Sequence, residues 1–230
     1  MPDSKRLLAP ALTTVAMVLV LLALGTWQVY RLQWKLDLLA RIDAGERGAA
    51  APLGPAPAPF SKVSVTGRFR FDKAATYGVE VRDTQAGPVM GAQQIVPLER
   101  SGGGPPILVD RGWIPQPPPA SVSAPAGEVT VIGYVRPAEP PHWFSPAPDL
   151  EGPRFYALDP EAIGLALGLP PPEPFTLVAL GAPRPGAYPR PAEQLPRPPN
   201  NHLSYAITWY GLAVTGIIIF IVWARKRPVA

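Results

Sequence analysis

The chain has 230 residues, 21 Lys plus Arg against 17 Asp plus Glu for a formal charge of +4, 34 prolines, two histidines and no cysteine. Without cysteine this polypeptide can form no disulfide, thiolate metal centre, iron–sulfur cluster or covalent c-type haem linkage. Five of the basic residues and one acid lie before Leu7 or after Trp223, which leaves 16 of each sign between; the positive charge therefore marks the ends and is poor grounds for nucleic acid binding.

From Leu7 to Trp27, and again from Leu203 to Trp223, there is no charged residue. Each run is 21 residues long, and at about 1.5 Å rise per residue it spans roughly 32 Å, enough to cross the hydrocarbon core of a bilayer. Lys5 and Arg6 before the first run and Arg225, Lys226 and Arg227 after the second predict that both termini face the cytoplasm. The first run could instead be a secretory signal cleaved near Ala23-Leu24-Gly25, but it is longer than such signals, and Trp27 and Tyr30 beyond it suit interfacial anchors, so retention is expected. No Arg- and Ser-rich amphipathic leader precedes it, which points to a bacterial inner membrane.

The expected organisation is a tail at 1–6, a span at 7–27, a helical extension at 28–48, a proline-rich spacer at 49–59, a periplasmic domain at 60–199, a second span at 203–223 and a basic tail at 224–230. Helical spacing puts Leu32, Leu36, Leu39 and Ile42 on one stripe of the extension. Alternation, β-branched residues and Gly/Pro punctuation predict strands over Val63–Phe71, Thr76–Val81, Val89–Leu98, Ile107–Trp113, Val129–Arg136, Arg154–Leu158 and Phe175–Leu180. Pro160–Leu169 reads as a helix, and Ser101-Gly102-Gly103-Gly104 as a hairpin loop. The fold class expected is membrane α+β: two transmembrane helices flanking a small antiparallel barrel or sandwich.

Candidate chemistry is sparse. Phosphate-cradling loops, nucleophile elbows and metalloprotease helices are missing from the sequence. His202 opens the second span, and helical spacing sets it with Ala206, Trp209 and Ala213 on one side, Tyr205 adjacent. Two readings stand: a neutral imidazole ligating a haem iron, the small residues leaving room for the macrocycle, or an interfacial belt above a helix capped by Asn200 or Asn201. His142, between Pro141 and Trp143, is either a second ligand or an exposed loop residue. Arg111, within Val109-Asp110-Arg111-Gly112-Trp113-Ile114-Pro115, could receive a carboxylate in a bidentate fork or fix a turn through an internal Asp or backbone partner.

Four blocks, Gly25 to Lys35, Val109 to Pro115, Arg154 to Asp159 and Asn200 to Leu212, together with the two-span layout, resemble the surfeit locus protein 1 family of cytochrome c oxidase assembly factors. The resemblance covers nearly the whole chain, and its first and last blocks are the specific ones. It implies a non-enzymatic chaperone of the respiratory chain that binds haem a as cargo at the outer membrane surface and assists its insertion into the oxidase catalytic subunit. The haem a synthesis machinery is a further implied partner. The family's haem-linked histidine falls on His202, which would be the axial ligand, with Trp209 and Tyr205 flanking the macrocycle and Arg111 a propionate or partner contact. A haem-independent scaffold for the oxidase subunit and, more remotely, an anchored hydrolase are the competing functions.

Overall fold

The computed structural model describes residues 3–84, 87–120, 122–149 and 152–226. It divides into two compact units, Met1–Ala40 with Arg197–Ala230, and Arg41–Pro196.

The first unit is a pair of antiparallel helices drawn from α1 (Asp3–Arg47) and α3 (His202–Arg225). Both are long and apolar enough to cross a membrane. Along α1 the less exposed positions include Ala11, Thr14, Val18, Leu21, Gly25, Gln28, Leu32 and Lys35; along α3 they include His202, Ala206, Trp209, Ala213, Gly216, Phe220 and Trp223. Steps of three and four alternate in both, the seven-residue period of a left-handed helix pair. Small residues let the backbones approach, as expected where lipid supplies no hydrophobic drive between helices. A Cβ on Gly25 would sit 2.7 Å from the Tyr210 ring, and one on Gly216 would meet the Met17 methyl at 2.8 Å. The hydroxyls of Thr13, Thr14 and Thr208 bond back to carbonyls four residues earlier, so they satisfy themselves inside the apolar helices.

The second unit is built on a closed five-stranded barrel. Its ring runs through β2 (Lys62–Phe69), β6 (Glu128–Pro137), β8 (Phe175–Ala179), β5 (Ile107–Pro115) and β4 (Gly87–Arg100), and pairing of β2 with β4 closes it. Neighbours are antiparallel except β5 and β8. The two-residue strand β1 (Ala51–Pro52) lies beside β2, while β3 (Ala75–Thr84) pairs with β4 on one side and with the short β7 (Arg154–Phe155) on the other. Closure leaves few open edges in a unit that has no disulfide to hold it.

β5 explains the core. Every residue from Ile107 to Ile114 is buried, because both of its faces are covered. Ile107 and Val109 join Val65, Leu98, Val135 and Leu177 in one cluster; Leu108, between them, points the other way into a second cluster with Ile95, Phe155, Leu158 and Ile163. Ile163 belongs to α2 (Pro160–Ala166), whose start is fixed by Pro160 and by the Asp159 carboxylate accepting from the amides of Glu161 and Ala162. The last turn of α1 also belongs to this unit: Ile42 is 1% exposed, and Glu46 takes the Leu195 amide at 2.8 Å and the Lys62 ammonium at 3.3 Å.

The fold class read from the sequence is borne out, and all seven expected strands exist. Two details differ. The strand expected over Arg154–Leu158 pairs only at Arg154–Phe155, because Leu158 turns into the second cluster ahead of α2. On the stripe of the α1 extension, Leu36 is 52% exposed and Lys35 takes the inward position, since the seven-residue seam continues past the first span.

Candidate functional site

His202 is the first residue of α3. The Asn201 side chain makes no capping bond; Asn200 Oδ1 instead accepts from the His202 amide at 3.4 Å, and the Ser204 hydroxyl turns back to the Asn201 carbonyl. The imidazole is partly exposed, and its Nδ1 donates to Gln28 Oε1 at 2.7 Å. Gln28 is 9% exposed within the α1 seam, where a carboxamide without a partner would be costly. With its Nδ1 proton engaged, the neutral ring keeps its lone pair on Nε2, the nitrogen that can bind a metal.

The rest of the expected ring site is rearranged. Ala206 and Ala213 are 3% and 1% exposed, so the face that was to leave room beside His202 is the helix seam, and α1 fills it. Small residues on one face of a membrane helix signal a close neighbour at least as readily as a ligand. Trp209 is half-buried on that same seam, whereas Tyr205 stands on the flank at 54% exposure. Gly25 underlies the Tyr210 ring, and the Tyr210 hydroxyl lies 3.1 Å from Thr26 Oγ1. Trp27, Tyr30 and Trp34 on α1 are each more than half exposed, an aromatic belt of the kind found at a membrane–water boundary.

Arg111 belongs to the barrel unit, and His202, Tyr205 and Trp209 to the helix unit. Arg111 Nη1 donates to Gln94 Oε1 and to the Ser123 carbonyl, both at 2.8 Å, and the guanidinium lies about 5 Å from the Phe69 and Phe71 rings. Burial draws its pKa down to about 10, so it remains a cation at neutral pH. It borders an open groove of about 520 Å³ with Phe69, Ser123, Arg184 and Tyr188. Asp110 does not pair with it, because adjacent strand residues face opposite ways. The Asp110 carboxylate turns toward a separate cavity of about 310 Å³ lined also by Glu80, Arg82, Tyr134 and Arg136, and accepts from the Gly112 amide at 2.9 Å. Desolvation raises its pKa to about 6, against the opposing pull of the Gly112 amide and of Arg136 and Arg82.

Gly112 is where the backbone requires glycine. Its φ is +115°, and a Cβ there would collide with the Arg190 carbonyl. That close approach lets Trp113 and Arg190 exchange both backbone hydrogen bonds at 2.9 Å, and the Trp113 indole N–H, buried in the same place, donates to the Glu80 carbonyl.

His142 sits in an exposed loop of the barrel unit, with Nδ1 3.1 Å from Ser145 Oγ and its ring 4.1 Å from that of Phe144. Among the described residues no group of three or more His, Asp or Glu is placed to hold a metal ion. Sequence reading gave Gln28 no role. Its only signal was a carboxamide standing at a seam position directly after an uncharged span.

Two helices long and apolar enough to cross a membrane, joined to a domain built on a closed five-stranded barrel, define a membrane-anchored β-barrel-domain protein. The chain belongs to the SURF1 family, whose sequence model matches residues 15–214. It is similar to Surfeit locus protein 1 of Mus musculus, 31% identical over 229 residues that cover 90% of this chain and 73% of that one. A SURF1-like protein of Monosiga brevicollis is 31% identical over 90% of this chain and 84% of its own length, and one of Rickettsia conorii is 28% identical over 90% and 88%. Membership implies a role in the assembly of cytochrome c oxidase.

Proposed function

We propose that this chain serves oxidase assembly as a carrier of haem a, taking the iron on His202 Nε2 and handing the haem to the catalytic subunit. The observation that carries this reading is a partly exposed imidazole at the head of an apolar helix pair, its Nδ1 bonded to Gln28 Oε1, which in the neutral ring leaves the lone pair on Nε2. The donor set suits a haem: one neutral nitrogen at the boundary between polar and apolar surroundings, where an apolar tail can lie in lipid while propionates stay in water. Because α1 fills the seam, the macrocycle belongs on the outer flank of α3 beside Tyr205, with Trp209 reached only at its exposed edge. Arg111, a cation bordering the open groove of its own unit, is assigned to a carboxylate of the oxidase partner. The basic ends favour cytoplasmic termini and a periplasmic barrel in a bacterial inner membrane.

The test is an absorption spectrum of protein purified from cells that make haem a, compared with His202→Ala. The parent is expected to carry haem a and the variant to lose it; equal haem content in both would remove His202 from the role. The exposed belt of Trp27, Tyr30 and Trp34 favours a second reading, a scaffold that grips the oxidase subunit without haem. It predicts colourless protein that still co-purifies with the subunit.

A further inference from the structure

Gln28 stands out in the α1 seam, where the named positions other than Thr14 and Lys35 are small or apolar. It lies between Gly25 and Leu32 on the buried side of α1, where leucine would pack without leaving an amide to satisfy. Its oxygen is 2.7 Å from His202 Nδ1, at the short end of the N–H···O range, and the two residues are 174 positions apart in sequence. A bond of this kind does what leucine packing cannot: it selects one of two imidazole tautomers and fixes the rotation of the ring. Histidines that bind metals commonly give their second ring N–H to an oxygen, and such partners set both ligand basicity and orientation. Both bonded groups sit on helices that pack through a regular seam, so the ring is held by two rigid elements instead of a loop.

We propose that Gln28 is the positioning residue of the haem site, fixing His202 as the Nδ1–H tautomer and aiming Nε2 at the iron. The identity of the metal group rests on the function proposed above; the tautomer does not. A plain helix clamp would make the same contact yet leave the electronic character of a bound haem untouched, and this difference separates the two roles.

The full-length protein, in detergent and without haem, is labelled at histidine nitrogens. His142→Ala leaves His202 as the single histidine, so its ring resonances need no further assignment. In that background the Nδ1–H form is expected to dominate, and Gln28→Ala to convert the signal to a mixture or to the Nε2–H form. With haem a loaded in cells, Gln28→Ala is expected to lower affinity by roughly 10- to 100-fold. Gln28→Glu, which keeps the side-chain shape and provides a stronger acceptor, is expected to retain haem and to lower its reduction potential below the parent's. An unchanged tautomer in Gln28→Ala, or parental affinity and potential in both variants, overturns the proposal. Loss of the haem reading would appear separately, as undiminished haem in His202→Ala while the tautomer result stands.

Discussion

Asp110 offers a quantitative check on how the barrel is built. Its carboxyl is 3% exposed and held near a pKa of 6, against an ordinary value of 3.8. Because burial raises the folded-state value, the folded chain keeps a proton that the unfolded chain gives up between about pH 4 and pH 6. Its share of stability is present in full below about pH 4, falls as pH rises through 6, and is constant above that. The displacement from 3.8 to about 6 corresponds to a loss of about 3 kcal/mol across the window. Asp110→Asn removes the titration and keeps an oxygen for the Gly112 amide, so it should match the parent within about 1 kcal/mol at pH 4 and exceed it by about 3 kcal/mol at pH 7. With an m-value of about 2 kcal/mol/M, the urea midpoints should separate by about 1.5 M. The assay is urea titration of the detergent-solubilised protein, followed by tryptophan fluorescence, with the fully buried Trp113 as a reporter three residues away. Parallel pH curves for parent and variant, or a variant that loses ground as pH rises, would refute the reasoning.

Other perturbations test other joints. Gly112→Ala combines a forbidden φ of +115° with a collision against the Arg190 carbonyl, and should cost at least about 3 kcal/mol, read as protease sensitivity of the strand Ile107–Pro115. Gly25→Ala must push aside the Tyr210 ring from 2.7 Å, while Gly216→Ala meets only the flexible end of Met17; unfolding in mixed SDS micelles should show a loss of about 1–3 kcal/mol for the first and under about 1 kcal/mol for the second. Ile42→Ala empties a position 1% exposed at the end of α1 and should cost about 2–4 kcal/mol in urea unfolding.

Much of this was legible because the local signals agree. Uncharged runs of span length, alternating strands with β-branched residues and the Pro160 helix start depend on a few neighbouring residues, and the three helices and seven strands follow them. Leu36 misled because a stripe of leucines fits more than one helical face, and only the partner helix decides which face is inward. Of the internal partners weighed for Arg111, the backbone holds and the neighbouring Asp110 does not. Side by side in sequence, the two residues serve opposite faces of one strand, and Arg111 found its partners in Gln94 and Ser123.

The sequence by itself determined the two spans, the β-rich insert and the position of His202 at the head of the second span, since each depends on hydropathy and local backbone preference. The family resemblance was legible there too, carried by blocks at both ends of the chain. Tertiary structure decided how the strands close, through a β2–β4 pairing and a parallel β5–β8 contact that no local pattern encodes. It also decided the meaning of the small residues beside His202. They admit a second helix, and that helix brings Gln28 to within 2.7 Å of the imidazole across 174 residues of sequence. Contacts of that range are set by which surfaces must be covered once the chain is compact, and so they appear only when the helices meet.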